Sequence, residues 1–339
     1  MTLEITRIDP FDTAEVDAWW DAYAAAERAD RGSDIPVWSR EETRNAMQQQ
    51  SQTLERRPLL LRDDGTVVGA AGLALPLKDN THVAHLAVHV PPAHRRRGVG
   101  STALAFLEAE AAKAGRTTAQ GDASWPYELG SDGKGAPGRE FARRHGYALA
   151  LGDVQNRLAL PLDLEVLDRI DADIAAATRG YSVRSWIGPV PDDVVEGWAI
   201  LDASIDTEAP SGDLDIAPAT PDVESIREQE ELLVRQNRLP IGTVALTPEG
   251  QVAAYTQLVV SGDDGNAYQW GTLVRRADRG HRLGTAVKIA NLRLLQHRAP
   301  HAPAVYTYNA ESNAHMLAVN TLLGFIPTER MGELQKHLA

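Results

Sequence analysis

The hydrophobic and polar positions at the start of the chain predict a strand followed by two helices. Residues 3–8 alternate apolar and polar side chains, which is typical of a half-buried strand. After a turn, large side chains recur at helical spacing and form one face, made by Val16, Trp19, Trp20 and Tyr23. Residues 41–54 are largely polar, and we expect them to form an outer helix.

Two apolar runs then predict a β-hairpin and a third strand. Residues 58–61 and 67–75 flank Asp63-Asp64-Gly65, a sequence that favours a tight turn between antiparallel strands. A third strand is predicted over residues 81–90. The pattern farther along indicates a helix, a strand at 117–121, a glycine-rich loop at 132–138, a short helix at 139–145 and a strand at 146–160.

The segment after the third strand has the composition of an anion-binding loop. Two prolines end the strand, and Arg95-Arg96-Arg97-Gly98-Val99-Gly100 leads into a helical pattern. Glycine lets a phosphate approach the main chain closely, and N–H groups at a helix start attract anions. The run lacks the Gly-Lys-Ser/Thr of a Walker loop and the Gly-x-Gly-x-x-Gly of a Rossmann loop. The alternative is an ordinary strand-turn-helix with a solvated basic turn.

The second half of the chain repeats this order of elements. The pattern predicts a first strand at 181–184, a helix with Trp198 at 194–201, a polar helix at 223–238, a hairpin of 241–246 and 252–260, and a strand at 267–274. An acidic helical connector at 161–178 separates the two halves. The predicted domains are therefore residues 1–160 and 179–339.

The basic loop recurs with the same internal spacing in the second half. Arg279 lies 184 residues after Arg95 (279 − 95), and Gly284 lies 184 residues after Gly100 (284 − 100). Arg282 replaces the glycine found at Gly98 in the first loop. The pair Gly324-Phe325 follows a short predicted helix, as Gly146-Tyr147 does in the first half. A repeat of this length indicates a duplicated domain.

Composition narrows the class of protein. The chain has no cysteine, which excludes disulfides, thiolate zinc sites and a cysteine nucleophile, and its histidines lack metal-ligand spacing. The net charge of −13 argues against a nucleic-acid partner and is compatible with cationic substrates. Because neither a signal peptide nor a membrane-length apolar run is recognised, we expect a cytoplasmic protein without a membrane partner, as a monomer or homodimer.

The spacing Arg95-x-x-Gly98-x-Gly100 resembles the acyl-CoA pyrophosphate loop of the GNAT superfamily of N-acetyltransferases. With the second loop at residues 279–284, the whole chain is similar to a tandem GNAT protein, an arrangement also found in mycothiol synthases. The resemblance implies an α/β (α+β) fold of two GNAT domains. Each would have a mixed, largely antiparallel central sheet flanked by helices, with a splayed cleft for acetyl-CoA.

The resemblance also implies which residues bind acetyl-CoA. In the first copy they are Val88, Val90, Arg95, Arg96, Arg97, Gly98, Val99, Gly100, Ser101 and Thr102. In the second copy they are Val274, Arg279, Gly280, His281, Arg282, Leu283, Gly284, Thr285, Asn309 and Asn313. We expect acetyl-CoA to bind in the first copy, because Arg282 of the second copy places a side chain where a phosphate must approach the backbone. Whether the second copy also binds acetyl-CoA is left undecided by the sequence.

In this family the acceptor amine attacks the thioester directly, which requires a base for the amine and an acid for the thiolate. Many members carry a tyrosine as the acid at the positions that Ala142 and Asn320 occupy here. The strand before each loop offers His82, His85 and His89, or Tyr268, Gln269 and Thr272, as polar candidates for the base. The segments after the fifth strands add Asp122, Tyr127, Glu128, Tyr308 and Glu311. We single out His85, Glu128 and Tyr308 as candidate catalytic residues, His85 because imidazole titrates near neutrality.

Three functions follow from these patterns. The first is an acetyl-CoA-dependent N-acetyltransferase that acts on the primary amine of a small molecule. The second is an acyl-CoA-binding sensor or sequestering module without catalysis, which the missing tyrosines favour. The third is a protein acetyltransferase, which the lack of a basic or peptide-binding segment disfavours.

Overall fold

A computed structural model describes residues 3–29, 31 and 35–338. The chain forms two compact units. The first unit comprises Met1–Asp153, Gly212–Ala217 and Glu329–Ala339, and the second comprises Val154–Ser211 and Pro218–Thr328. The units therefore interleave in sequence, and the repeat boundaries at residues 160 and 179 stay a prediction.

The helices and strands follow the predicted order. In chain order they are β1 (Leu3–Arg7), α1 (Thr13–Arg28), α2 (Arg40–Gln48), β2 (Leu54–Asp63), β3 (Thr66–Pro76), β4 (Val83–His89), α3 (Val99–Lys113), β5 (Thr118–Pro126), α4 (Pro137–Arg144), β6 (Ala148–Ala159), α5 (Leu164–Ile174), β7 (Ser182–Ile187), α6 (Val195–Glu208), α7 (Val223–Arg235), β8 (Leu239–Leu246), β9 (Val252–Val260), β10 (Ala267–Val274), α8 (Leu283–Arg298), β11 (Ala304–Ala310), α9 (Ala314–Leu322) and β12 (Ile326–His337). Within the described residues, no helix is both long and apolar enough to cross a membrane.

The first unit is a sheet with helices on both faces. Its strand order is β1-β2-β3-β4-β5-β12, in which β4 and β5 are parallel and the other neighbours are antiparallel. Val16 and Trp19 of α1 pack with Leu60 on one face. Helices α3 and α4 cover the other face and pack with Ala84 and Leu86 of β4. Alternate residues of β4 therefore face α1 and α3.

The second unit repeats this arrangement. Its strand order is β6-β11-β10-β9-β8-β7, with β10 and β11 parallel and β7 to β10 antiparallel. Trp198 of α6 packs against Tyr255 on one face, and α8 covers Ile241 and Leu258 on the other. The mixed, largely antiparallel sheet flanked by helices is confirmed for both units.

In each unit the two parallel strands pair briefly and then separate. The pairing of β4 with β5 covers three residues and reaches His85 and Gln120. The pairing of β10 with β11 also covers three residues and reaches Gln269 and Thr307. The register of the described residues includes no later pair between these strands, so each sheet contains a cleft that opens toward the loop before α3 or α8.

Several predicted elements differ from the structure at their C-terminal ends, including the helix predicted over residues 194–201, which continues to Glu208. The helix predicted over residues 41–54 stops at Gln48, because the Ser51 hydroxyl accepts hydrogen bonds from the N–H groups of Thr53 and Leu54, both at 3.1 Å, and turns the chain into β2. The strand predicted over 117–121 continues to Pro126, because residues 329–337 of β12 pair along it. A partner this distant in sequence leaves no local signal.

A short segment from the second half of the sequence belongs to the first unit. In Gly212–Ala217, the N–H of Asp213 donates to the Ala150 carbonyl oxygen at 2.9 Å. The Thr118 hydroxyl donates to Asp215 Oδ2 at 2.7 Å. These contacts attach the segment to β5 and to the part of β6 before Val154, which belongs to the first unit.

Gly271 of β10 provides a test of packing in the second unit. A Cβ atom at this position would overlap Tyr255 Oη, which donates to Asp202 Oδ1 at 3.0 Å. Because Tyr255 is fully buried, we expect Gly271→Ala to lower the free energy of unfolding by about 1–3 kcal/mol. Urea unfolding of the purified variant measures this change.

The matched control is Gly72→Ala in β3, where the added Cβ would meet the Ala87 Cβ at 3.9 Å, an ordinary contact. We expect a change within about 0.5 kcal/mol for this variant. Equal losses for the two alanine variants would contradict the packing argument.

Candidate functional site

The loop between β4 and α3 has the backbone shape of an anion site. A 3₁₀ turn at Pro92–His94 follows the strand, and Arg96 and Gly98 both adopt left-handed φ angles, 62° and 85°. Gly98 is the N-cap of α3, and no side chain in the described ranges caps this helix. The N–H groups of its first turn therefore remain available to a phosphate.

The three arginines of this loop have different roles. Arg95 Nε donates to the Val90 carbonyl oxygen at 2.9 Å and thereby fastens the loop to the end of β4. Arg97 forms an ion pair with Asp63 at 2.8 Å, and Arg96 is exposed. Arg95 shapes the loop, whereas Arg96 and Arg97 supply charge at its surface.

The loop before α8 has the same backbone shape. Gly280 and Arg282 adopt left-handed φ angles of 89° and 56°, at the positions that correspond to Arg96 and Gly98. Arg282 is the N-cap residue of α8, and its side chain is exposed. No side chain in the described ranges accepts a hydrogen bond from the first turn of this helix. The replacement of glycine by Arg282 therefore preserves the handedness of the turn.

The cations of the second loop already contact acidic side chains. Arg276 and Arg279 both bind Glu208 of α6, at 3.1 and 2.8 Å. The ring of His281 packs against Tyr181, with centroids 5.2 Å apart. Exposed ion pairs such as these contribute at most about 1 kcal/mol, so an incoming phosphate competes readily with Glu208.

The remaining predicted cofactor residues lie near the two helix starts or in the clefts. In the first unit Val88 and Val90 pack on the α3 side, and Val99 is buried. Gly100 lies against Phe141, and Ser101 Oγ is 3.0 Å from His145 Nε2. Thr102 is exposed. In the second unit Val274 ends β10, Leu283, Gly284 and Thr285 are buried in the first turn of α8, and Asn309 lies on β11. Asn313 caps α9, accepting from the N–H of Met316 at 3.1 Å, which gives it a structural role.

A polar cleft forms in the first unit where β5 leaves β4. A Cβ on Gly121 would lie 2.6 Å from the Leu86 carbonyl oxygen, so this close approach requires glycine. Leu86 packs on the α3 side, and strand alternation places His85 and His89 on the α1 side. Asp122 lies on that same side, because Gly121 precedes it in β5 with the opposite orientation. The wider part of the cleft therefore collects two imidazoles and a carboxylate.

His89 and Glu27 form a hydrogen-bonded pair in this cleft. His89 Nδ1 lies 3.1 Å from Glu27 Oε1, and the ring packs edge-on against Trp19 and Tyr23 of α1. Because a carboxylate only accepts hydrogen bonds, this contact places the proton on Nδ1 and leaves Nε2 as a proton acceptor. The arrangement suits a general base oriented by a carboxylate.

Arg31 connects Glu27 to a second carboxylate. It contacts Glu27 Oε2 at 2.6 Å and binds Glu329 of β12 through Nε and Nη2, at 3.0 and 2.8 Å. Desolvation raises the pKa of Glu27, but the His89 hydrogen bond and the Arg31 charge outweigh it and hold this pKa below its usual range. Glu27 therefore stays ionised beside His89 at neutral pH.

Asp122 also lies in this cleft, but in the described part of the chain it forms no ion pair with an arginine as Glu27 does with Arg31. Its side chain is accessible to solvent, but the surrounding protein atoms still desolvate its carboxylate. Desolvation and the negative charge of Glu27 raise the pKa of Asp122, and they outweigh the opposite effect of the His89 and Arg31 charges. Within the described residues no other side chain forms an ion pair with Asp122. This carboxylate is free to bind a cation that enters the cleft.

The structure divides the three candidate catalytic residues between the units. His85 lies at the last β4–β5 pair, with an exposed ring whose pKa is lowered by desolvation. Glu128 is exposed on a 3₁₀ turn after β5, and no hydrogen bond joins it to His85 or His89 in the described ranges. Tyr308 belongs to the second unit, where its hydroxyl accepts a hydrogen bond from Gln155 Nε2. Only His85 lies with the cluster around His89.

A buried lysine lies beneath the second cleft, and it is not among the residues predicted from the sequence. Lys288 of α8 is 1% exposed, and its Nζ donates to Asn320 Oδ1 at 2.8 Å. Asn320 Nδ2 in turn donates to Asn309 Oδ1 at 2.6 Å. Desolvation lowers the pKa of Lys288 to about 7.

Local signals for these residues were present in the sequence. Glu27 continues the helical face of Trp19 and Tyr23 at a spacing of four residues, and Lys288 interrupts the apolar run at residues 286–290. Within the described ranges, no three His, Asp or Glu residues are grouped as a metal site would require.

Comparisons with known proteins agree with this geometry. The model of the acetyltransferase (GNAT) family matches residues 16–121. A tandem GNAT protein from the clavulanic acid biosynthesis pathway is 28% identical, with a TM-score of 0.80 over 100% of this chain and 99% of that one. A GCN5-related N-acetyltransferase from Sphaerobacter thermophilus is 15% identical, with a TM-score of 0.65 over 99% of this chain and 96% of that one. No curated protein matches the chain.

These matches cover both repeats in one case and the first cleft in the other. The family model spans α1 to β5, which contain the loop at 95–100 and the residues around His89. The tandem neighbour aligns along the whole chain. Residues 16–121 therefore match the acetyltransferase (GNAT) family, and the whole chain is similar in fold to a tandem GNAT protein.

Proposed function

We propose that the first unit transfers the acetyl group of acetyl-CoA to the primary amine of a small molecule by direct attack. The observation that carries this proposal is the His89–Glu27 pair, which lies in the cleft between β4 and β5. This cleft opens toward the loop that leads into α3. An anion site and a general base therefore border the same opening.

The residues of the first loop fit the pyrophosphate of acetyl-CoA. The uncapped start of α3 supplies N–H groups, Gly98 keeps the turn free of a side chain, and Arg96 and Arg97 add positive charge. When bound, acetyl-CoA supplies the acetyl thioester. The backbone groups of β4 beyond His85 lack β5 as a partner and are available to orient it.

His89 is the proposed general base. An amine must lose a proton to form an amide, and Nε2 of His89 is left as the acceptor by the hydrogen bond of Nδ1 to Glu27. Glu27 also stabilises the imidazolium that results, since its carboxylate stays ionised. Arg31 fixes Glu27 in place. This arrangement follows the base-and-orienter logic of hydrolase triads without a nucleophilic residue.

The charge of the cleft favours a cationic acceptor. Asp122 forms no ion pair within the described residues, although the charges of His89 and Arg31 act on it, and it lies on the same face as His89. Glu333 pairs with Asp122 across β5 and β12 and therefore faces the same side. An ammonium group of the substrate is attracted to these carboxylates before His89 removes its proton.

A binding module without catalysis is the second candidate function. Ala142 stands in the first unit where many family members have a tyrosine, and its methyl group offers no proton to a thiolate. If no other group or water supplies that proton, acetyl-CoA binds without turnover.

A thiol-release assay separates the two functions. The chain has no cysteine, so a thiol reagent reports only the CoA that is released. We expect saturable acetyl-CoA binding by calorimetry and thiol release with at least one member of a panel of diamines, amino sugars and basic amino acids. Binding without release for any amine would favour the binding module, and the absence of binding would contradict both.

A further inference from the structure

Lys288 is buried beneath the cleft of the second unit, on the α8 side of the sheet. Residues Val305, Thr307 and Asn309 of β11 share one face by strand alternation, and Val305 packs with the α8 core. Asn309 is two residues beyond the last residue that pairs with β10. The Asn309 side chain therefore lies where the strands have opened, on the α8 side.

A continuous hydrogen-bond path joins this opening to a buried amine. Asn309 accepts from Asn320 of α9, and Asn320 accepts from Lys288 Nζ. The ring of Phe325 covers the other side of the ammonium group, with its centroid 5.3 Å from Nζ. Desolvation alone lowers the pKa of Lys288, and no charged group of the described chain contributes to the shift. No carboxylate of the described residues therefore neutralises the ammonium charge.

The first unit has hydrocarbon side chains at the corresponding positions. Alignment of the two basic loops places Leu104 opposite Lys288, and alignment of the two Gly-aromatic pairs places Ala142 opposite Asn320. Leu104 and Ala142 are both buried in the apolar core beneath α3. The fold thus tolerates hydrocarbon at these positions. A buried lysine is costly there and is explained by an anion that it receives.

The geometry points to Lys288 as the group that stabilises the thiolate of CoA in the second unit, acting through Asn320 and Asn309. This inference rests on the proposed binding of acyl-CoA by this chain. During acyl transfer the bond from carbon to sulfur breaks, a bond from carbon to the acceptor nitrogen forms, and the electron pair stays on sulfur. The charge of Lys288, connected to the opening through Asn320 and Asn309, stabilises this electron pair, and the proton lost by the acceptor amine reaches the sulfur through solvent in the cleft.

The test measures the ionisation of the CoA thiol in the Gly98→Glu variant, in which the first loop is disabled. Free CoA is titrated into the protein, and the ultraviolet absorbance of the thiolate is followed against pH. The absence of cysteine from the sequence removes any thiolate background of the protein. We expect about tenfold more thiolate at neutral pH than for CoA in solution, because a nearby cation lowers a thiol pKa by about one unit.

Lys288→Met in the same background removes the charge and keeps an unbranched side chain one heavy atom shorter. We expect it to bind CoA and to abolish the excess of thiolate. This variant should fold, because exchanging a buried charge for an apolar side chain of similar volume is neutral or stabilising. Leu104→Met is the matched control in the first unit, and it should leave the excess unchanged.

Two results would overturn the inference in distinguishable ways. If CoA binds and its thiol ionises identically with and without Lys288, the lysine does not act on sulfur. If the Gly98→Glu variant no longer binds CoA although the wild-type chain does, the second unit is not a CoA site. If the wild-type chain itself does not bind CoA, the proposed function is overturned instead.

Discussion

Gly98→Glu is expected to lower the affinity of the first unit for acetyl-CoA by about 100-fold, or about 2.7 kcal/mol. Two effects add up. A carboxylate at the N-cap of α3 repels the phosphates and occupies the positive end of the helix. A side chain at a φ of 85° also strains a turn that glycine adopts freely. Isothermal titration with acetyl-CoA measures both affinity and the number of sites per chain.

Gly98→Arg is the matched control, because Arg282 occupies the equivalent position of the second loop with a left-handed φ of 56°. It carries the same backbone strain as the glutamate variant but brings positive charge, and we expect binding within about tenfold of the wild-type value. An unchanged affinity in the glutamate variant would contradict the assignment of the loop. Equal losses in both variants would show that backbone strain, and not phosphate charge, governs binding.

His89→Gln is expected to lower kcat by about 10²–10³-fold with the acceptor identified in the thiol-release assay. Glutamine keeps a polar side chain against Trp19 and Tyr23, but it cannot take the proton of the amine. The KM for acetyl-CoA should change little, since His89 faces α1 and the loop precedes α3. Steady-state kinetics with the acceptor and acetyl-CoA varied in turn measure kcat and both KM values.

His85→Gln is the comparison that separates the two histidines of β4. His85 is also in the cleft, but no carboxylate orients its ring in the described part of the chain, so we expect a loss below tenfold. Glu27→Gln should reproduce part of the His89 effect, because an amide no longer holds the imidazole in the required tautomer. A larger loss for His85→Gln than for His89→Gln would reverse the proposed roles.

The features that the sequence predicts best are those with a local pattern. The apolar run of β4, the basic turn and the start of α3 are adjacent in sequence, so the loop could be located from its composition. The matching positions of arginine and glycine in the two halves located the second loop as well. Helix α1 was also recognisable, because one face carries its large side chains and Asp12 accepts hydrogen bonds from its first turn.

The arrangement of the first cleft could not be predicted in the same way. Glu27 and His89 meet only because α1 packs across β4, and 62 residues separate them in the sequence. Asp122 belongs to a strand whose second half depends on pairing with residues 329–337. Lys288 has a hydrophobic neighbourhood that becomes visible only when α8 and α9 are packed together. Each of these contacts depends on tertiary structure, to which a local pattern is insensitive.

The composition of the first unit has a consequence for how the protein is made and how its gene can evolve. Residues 212–217 and 329–337 complete a unit whose other strands precede residue 154. During synthesis on the ribosome, β5 lacks its antiparallel partner β12 until nearly all of the second repeat has been made. The first repeat therefore cannot complete its fold as it emerges. A gene cut between the repeats would leave β5 with an unpaired edge prone to aggregation. The exchange of segments therefore makes the duplication hard to reverse.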